Sequence, residues 1–274
     1  MVMTDLNPLL KTFFKTDTFT KEKLNKGLTN DNYLIMVGDQ RFVCRVPKDD
    51  AHQIVHFPHE EKALDLIKNA QLDVNTIYYD PNTGIKITEY VPDFMTFEEY
   101  QGSDKIKRTA ILMKRLHALQ QTIGYDFDPI ARYHQYRSYV KNALINDTRA
   151  ADIIEAIHKI PYFPTLCHND WVSGNIGFTH HRDYLIDYEY AGDNDPYFDV
   201  MSFITENRLT DEERKEFLKS YFDQPLTSQE IEALKAYEDF HNLLWCTWAT
   251  MMYESRHLEI YQNIAQDKLN QLNA

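Results

Sequence analysis

The patterning of this chain changes kind once, near Glu89 to Pro92, and that change limits the folds open to it. Before it, short apolar runs alternate with turn residues. "NYLIMV" (32–37) and "RFVCRV" (41–46) flank Gly38-Asp39-Gln40 and read as a hairpin. Phe57 to Asn69 reads as a helix with Ala63, Leu64 and Ile67 on its apolar side. "NTIYYD" and "GIKITEYV" read as two further strands around the turn Pro81-Asn82-Thr83-Gly84. After Pro92 apolar residues recur at threes and fours. "KIKRTAILMKRLHALQ" predicts a helix with Ser103 as its N-cap, and more helices are expected around 133–147, 149–159, 210–222 and 227–270. The expected class is α+β, with a β-rich N-terminal lobe over 1–91 and a mostly helical C-terminal lobe over 92–274.

Charge and cysteine usage exclude several functions. The net charge is −13, which argues against nucleic acid, because phosphate contacts need clustered Lys and Arg. It suits a cationic substrate, although solubility alone accounts for it. Cys44, Cys167 and Cys246 lie far apart in apolar contexts and read as reduced, buried thiols of a cytoplasmic protein. The opening "MVMTDLNPLLKTFFKT" lacks a signal peptide's apolar run, and no stretch suits membrane insertion.

"LCHNDWVSGNIGF" (166–178) crowds polar residues beside the start of a strand. "YLIDYEYAG" follows after His180-His181-Arg182-Asp183, so a β-hairpin is expected. With the turn centred on His181, Asn175 lies opposite Asp187, and Glu189 points to the same face as Asp187. An amide and a carboxylate then meet across two strands, with Asp170 just ahead. Phosphoryl transfer needs such oxygen ligands for Mg²⁺, and a carboxylate to position the attacking hydroxyl. Singly, each residue reads more simply as a cap of its own turn. The three together read as function.

These segments resemble the choline/ethanolamine kinase and aminoglycoside phosphotransferase superfamily, and within it the bacterial type of choline kinase. The pattern His-x-Asp-x-x-x-x-Asn, then Ile-Asp, then aromatic-Glu is present in "HNDWVSGN" and "LIDYEYAG". "KGLTNDNYLIMV", "RFVCRVP", "TGIKITEYV", "DPYFDV" and "LLWCTWA" extend the likeness along most of the chain. The resemblance implies a protein-kinase-like fold with ATP as co-substrate and Mg²⁺ as cofactor. It implies Asp170 as the catalytic carboxylate, Asn175 and Asp187 as metal ligands, and His168 and Asp199 as braces of the loop. Gly27, Leu28, Thr29 and Asn30 would cover the nucleotide, and Arg45 would face its phosphates. Glu60, with Glu61 as the neighbouring candidate, would pair with Arg45, and the Glu89 and Val91 backbone would meet adenine.

Two departures stand out. Lys26 occupies one of two usual glycine positions, and Asp193-Asn194-Asp195 stands where eukaryotic choline kinases carry aromatics, which would make that part of a cationic pocket acidic. There is no Gly-x-x-x-x-Gly-Lys-Ser/Thr, so a P-loop NTPase is excluded.

Trp245 and Trp248 stand three apart in a helical stretch, with Met252 a turn further on. Such a stripe is more often core. In the resembling family a Trp-x-x-Trp pair holds quaternary ammonium by ring faces, with Glu189 and Asp170 as nearby negative charge. The expected reaction is transfer of the ATP γ-phosphoryl group to the hydroxyl of choline. The alternatives are an ethanolamine or aminoglycoside kinase of the same fold, or a non-catalytic binding module. A metallohydrolase using His168, Asp170, His180 and His181 is a third, but adjacent histidines in a turn are poor ligands for one ion.

Overall fold

A computed structural model describes residues 6–24, 30–48 and 55–274. Five strands form one antiparallel sheet: β1 (Thr20–Leu24), β2 (Asn30–Val37), β3 (Gln40–Pro47), β4 (Thr76–Tyr79) and β5 (Lys86–Glu89). Their order across the sheet is β1-β2-β3-β5-β4. The expected hairpin forms, with Val37 paired to Gln40 and Gly38 taking φ +57° in the two-residue turn. One sheet face buries Tyr33, Ile35, Phe42, Cys44, Ile85 and Ile87 against Leu6 and Leu10, the latter on α1 (Asn7–Phe14). On the other side α2 (Phe57–Ile67) contributes Ala63 and Ile67 to the larger core shared with the helical part.

Past Glu89 lie the short strand β6 (Met95–Thr96) and the helices α3 (Lys105–His117), α4 (Pro129–Tyr139) and α5 (Asp147–His158). Strands β7 (Thr165–Cys167), β8 (Ile176–Phe178), β9 (Asp183–Leu185) and β10 (Gly192–Asn194) follow. The chain ends in α6 (Pro196–Glu206), α7 (Asp211–Tyr221), α8 (Ser228–Arg256) and α9 (Glu259–Leu272). Residues 240–250 of α8 are buried all round, so this helix runs through the middle of the others. No helix among the described residues is long and apolar enough to cross a membrane.

Several expectations need correction. The long helix over 227–270 is two helices, because His257 takes φ 55° and ends α8. The expected helix over 133–147 starts at Pro129, capped by Asp128, and ends at Tyr139. Ser103 caps nothing: α3 starts after Asp104, with no side-chain cap bond. The hairpin register is one residue off. Ile176 pairs with Leu185 and Phe178 with Asp183, because Thr179 closes the turn by accepting from the Arg182 and His181 amides. Asn175 therefore stands opposite Ile186, whose N–H donates to the Asn175 carbonyl at 2.8 Å. Asp187 lies just past the ladder at φ 68°, and residues 188–190 coil into a 3-10 turn, so Glu189 is on no strand face.

Candidate active site

Two buried braces hold the loop that follows β7. Asp199 of α6 is fully buried and accepts the His168 N–H at 2.9 Å and the Asn169 N–H at 2.7 Å. His117 Nε2 lies 3.1 Å from the same carboxylate. Burial alone would push Asp199 up, but the His117 hydrogen bond and charge hold it below the ordinary carboxylate range. His168 is buried and reaches the Ile186 carbonyl through Nε2 at 3.0 Å, tying the loop to the chain before Asp187. Burial pushes the His168 imidazole down, so it is a neutral donor there. Asn169 takes φ 66°, a left-handed position that Asn tolerates, and this turns the chain at Asp170.

Asp170 and Asn175 meet directly. The Asn175 amide donates to Asp170 Oδ2 at 2.9 Å and to the Asp170 carbonyl at 3.0 Å. Burial pushes the Asp170 carboxyl well up, and the negative charges of Glu206, Glu189 and Asp187 add to it. A cation arriving beside this cluster therefore meets groups that gain by its presence.

Arg45 of β3 forms a bidentate pair with Glu60 of α2, at 2.8 and 2.6 Å, and reaches Asp187 Oδ1 at 2.5 Å. Glu60, not Glu61, is thus the partner, and it is fully buried. Burial works against the Arg45 charge, yet Glu60 and Asp187 keep its pKa well above the ordinary value. A cavity of about 350 Å³ opens beside them, lined by Val43, Arg45, Lys86, Thr88, Phe94 and Ile186 among others. Glu89 and Val91 do not line it, and the Glu89 N–H is spent on the Asn75 carbonyl at 3.0 Å. Gly27, Leu28 and Thr29, like Lys26, lie outside the described residues.

A second cavity, about 340 Å³, adjoins the first. Asp170, Glu189, Glu206, Tyr190, Trp245 and Trp248 are among its walls. Its rings stand edge to face: Tyr190 and Trp245 at 5.6 Å and 89°, Trp245 and Trp248 at 5.7 Å and 83°. Asn30 also lines this cavity, and its amide donates to Glu189 Oε2 at 2.8 Å. Burial, with Asp187 beside it, pushes the Glu189 carboxyl up to about 7. Asn32, Gly174, Asn175 and Asp187 border both cavities.

These shared residues fit a hard divalent cation. The Asn175 amide nitrogen is turned to Asp170 and Asp187 Oδ1 to Arg45, so amide Oδ1 and carboxylate Oδ2 remain as oxygen ligands.

Other sequence candidates stand elsewhere. Asp193 accepts the Ile123 and Gly124 amides, each at 2.8 Å, and Asp195 caps α6 through the Tyr197 N–H at 2.9 Å. Asp193 and Asp195 are therefore structural, and neither lines the second cavity. His180 and His181 are exposed in the turn, and Met252 does not border the cavity. Sequence reasoning missed Tyr190 and Glu206. Glu206 lies seven residues after Asp199, two turns along the same face of α6. The available signal was Asp195 followed by Pro196, an N-cap and first-turn proline.

Two adjoining cavities that share Asn175 and Asp187, with the acid Asp170 in the wall of one, suit a kinase-like phosphotransferase that acts on an alcohol group. The chain belongs to the phosphotransferase enzyme family, whose profile matches residues 21–237. It is 28% identical over 262 residues to Protein LicA of Haemophilus influenzae, covering 89% of this chain and 76% of that protein. Its fold is similar to choline kinase LicA from Streptococcus pneumoniae, with TM-score 0.80 and 21% identity, covering 98% of this chain and 97% of that one. The APH(2")-IIa protein in its gentamicin complex also shares the fold, with TM-score 0.62 and 19% identity, covering 99% and 96%.

Proposed function

We propose that this kinase transfers the γ-phosphoryl group of ATP to the hydroxyl of choline, giving phosphocholine. The observation that carries the reading is the pair of cavities meeting at Asn175 and Asp187, with Asp170 in the wall of one of them. Residues 1–91 form the nucleotide-binding lobe on this reading, and 92–274 the catalytic and acceptor-binding lobe.

The acceptor cavity has the chemistry of a pocket for a methylated ammonium. Such a cation offers no strong hydrogen bonds and is held by ring faces and nearby negative charge. Tyr190, Trp245 and Trp248 supply the rings, and Glu189 and Glu206 the charge. Asp170 takes the hydroxyl end of the alcohol, orients it and receives its proton as the oxygen attacks phosphorus. A carboxyl held high by burial and like charge is a better proton acceptor than an ordinary one. Arg45, anchored on Glu60, presents a fixed guanidinium to the nucleotide's phosphates. Asn175 and Asp187 would hold Mg²⁺, which neutralises phosphate charge when bound.

The test is ADP release with Mg²⁺-ATP across choline, its partly methylated analogues, ethanolamine and kanamycin. Turnover rising with N-methylation, and lost in Asp170→Asn, is the expected result. Turnover on kanamycin alone sinks the choline assignment while keeping the kinase.

A further inference from the structure

The acceptor cavity ends against a buried lysine that the phosphotransfer chemistry does not use. Lys268 of α9 is 2% exposed, and its ammonium lies 2.7 Å from Glu206 Oε1. The same ammonium donates to Thr205 Oγ1 at 3.3 Å. Thr205 Oγ1 is also 2.9 Å from His241 Nδ1, and His241 Nε2 accepts the Trp245 indole N–H at 2.9 Å. With Nε2 accepting, the ring proton sits on Nδ1 and is donated to Thr205. One cation therefore backs two walls of the cavity: Glu206 directly, and Trp245 through Thr205 and His241.

A buried ion pair rarely stabilises a fold better than an apolar pair of the same volume. The retained charge here is spent on orienting side chains that face the cavity. Hydrogen-bond accounting shows what this does to a ligand. Asp170 has one oxygen on Asn175, Glu189 has one on Asn30, and Glu206 has one on Lys268. All three carboxylates meet the ligand with an oxygen already committed. A primary ammonium brings three N–H donors and needs acceptors for each. A trimethylammonium needs none and responds to the field and the ring faces alone.

We infer that Lys268 is a positioning residue that sets the acceptor selectivity of the pocket toward N-methylated ammonium. It does so by occupying Glu206 and by fixing Trp245. The inference rests on the choline-kinase reading. Lys268 touches no reacting atom, so its removal changes acceptor binding and leaves the saturated rate near that of the wild type. Freed Glu206 becomes an acceptor for a primary ammonium, while Trp245 loses its fixed orientation.

The experiment compares wild type and Lys268→Met on choline and ethanolamine, with kcat and KM resolved for each. The ratio of choline to ethanolamine kcat/KM falls about tenfold in the variant, the order expected for one charge-assisted hydrogen bond. The change lies in KM, and ATP KM is unaltered. Lys268→Arg, which keeps the cation, recovers most of the ratio. An unchanged ratio, or an equal loss on both alcohols, overturns the inference while the choline reading stands. If Lys268→Met does not fold, the pair is removed together as Lys268→Met with Glu206→Gln. That variant is compared with Glu206→Gln alone, which keeps Lys268: a lower choline preference in the double variant supports the role of Lys268 in fixing Trp245, and an equal preference overturns the inference. A wild type that turns over no methylated alcohol sinks the choline reading and takes this inference with it.

Discussion

The two cavities are nearly equal in volume and differ in charge. The cavity proposed for the nucleotide sets Arg45 and Lys86 beside Glu99 and Asp187, and the cavity proposed for the acceptor has four carboxylates, Asp170, the shared Asp187, Glu189 and Glu206, with no Lys or Arg among its described walls. The acidic one suits a cation, and the mixed one offers Arg45 and Lys86 to a phosphate. They differ also in how their charges are held. Arg45 arrives already paired with Glu60, so the nucleotide side is organised before ligand binds. On the acceptor side burial and mutual repulsion push Asp170 and Glu189 upward, so that side is completed by its ligand. On the choline-kinase reading two oppositely charged substrates come to one wall, formed by Asn175 and Asp187.

Asp170→Asn tests the separation most severely. The substitution keeps shape and removes the proton acceptor. Turnover measured by ADP release should drop by on the order of 4 kcal/mol in barrier or more, with nucleotide affinity unchanged. A matching loss of ATP binding would show that the two cavities are not independent. Arg45→Met acts on the other side. Glu60 is left buried without its bidentate partner, at a cost of about 3 kcal/mol of stability. Urea unfolding should report that loss, and the ATP KM should rise while the choline KM holds. A variant as stable as wild type would mean that Lys86, 3.5 Å from Glu60, takes over the pairing.

The same contrast explains what could be read from sequence. The sheet, Arg45 and the block from His168 to Asn175 were legible, because turn residues and alternation are local and the motif spacing is short. Glu60 against Glu61 was settled only by the fold, since both lie on α2 and only one faces β3. Of the proposed acceptor side, Asp170, Glu189, Trp245 and Trp248 were legible. Among its other walls Tyr190 comes from a 3-10 turn, Glu206 from α6, Ile264 from α9, and Asn30 and Asn32 from β2. The apolar run of α6 gives no clear period, so the Asp195-Pro196 start and the spacing from Asp199 were the signals left for Glu206. Register in the catalytic hairpin failed by one residue because Thr179 closes a four-residue turn that composition does not announce. Even so Asn175 and Asp187 line the same two cavities, with Asp187 past the ladder at φ 68°.

Trp245→Ala sharpens the acceptor side. It removes one ring of the cavity and the partner of His241, and should raise choline KM about tenfold with kcat and ATP KM near wild type. Steady-state kinetics on both substrates decide it. An effect on ethanolamine as large as on choline would reassign the ring to packing alone.

The smallest effect concerns His241 itself. It is fully buried, and burial, with the charge of Lys268, pushes its pKa well below the ordinary value. Below about pH 6.5 the unfolded chain protonates this residue and the folded chain does not. The unfolded state then binds more protons, so stability from His241 is present above that pH and is lost as pH falls. Raised carboxyls such as Asp73, Asp170 and Glu189 act with the opposite sign, so the wild-type curve alone is ambiguous. Comparison with His241→Gln isolates the imidazole, because the Gln amide oxygen still accepts from Trp245 and does not titrate. The wild-type stability advantage should shrink by about 1.4 kcal/mol for each pH unit below the unfolded value, measured by urea midpoints at three pH values. A gap that stays constant or widens on acidification would mean that the folded protein protonates His241. Trp245 would then lose its hydrogen-bond acceptor, and with it the neutral imidazole that links Lys268 to the aromatic wall.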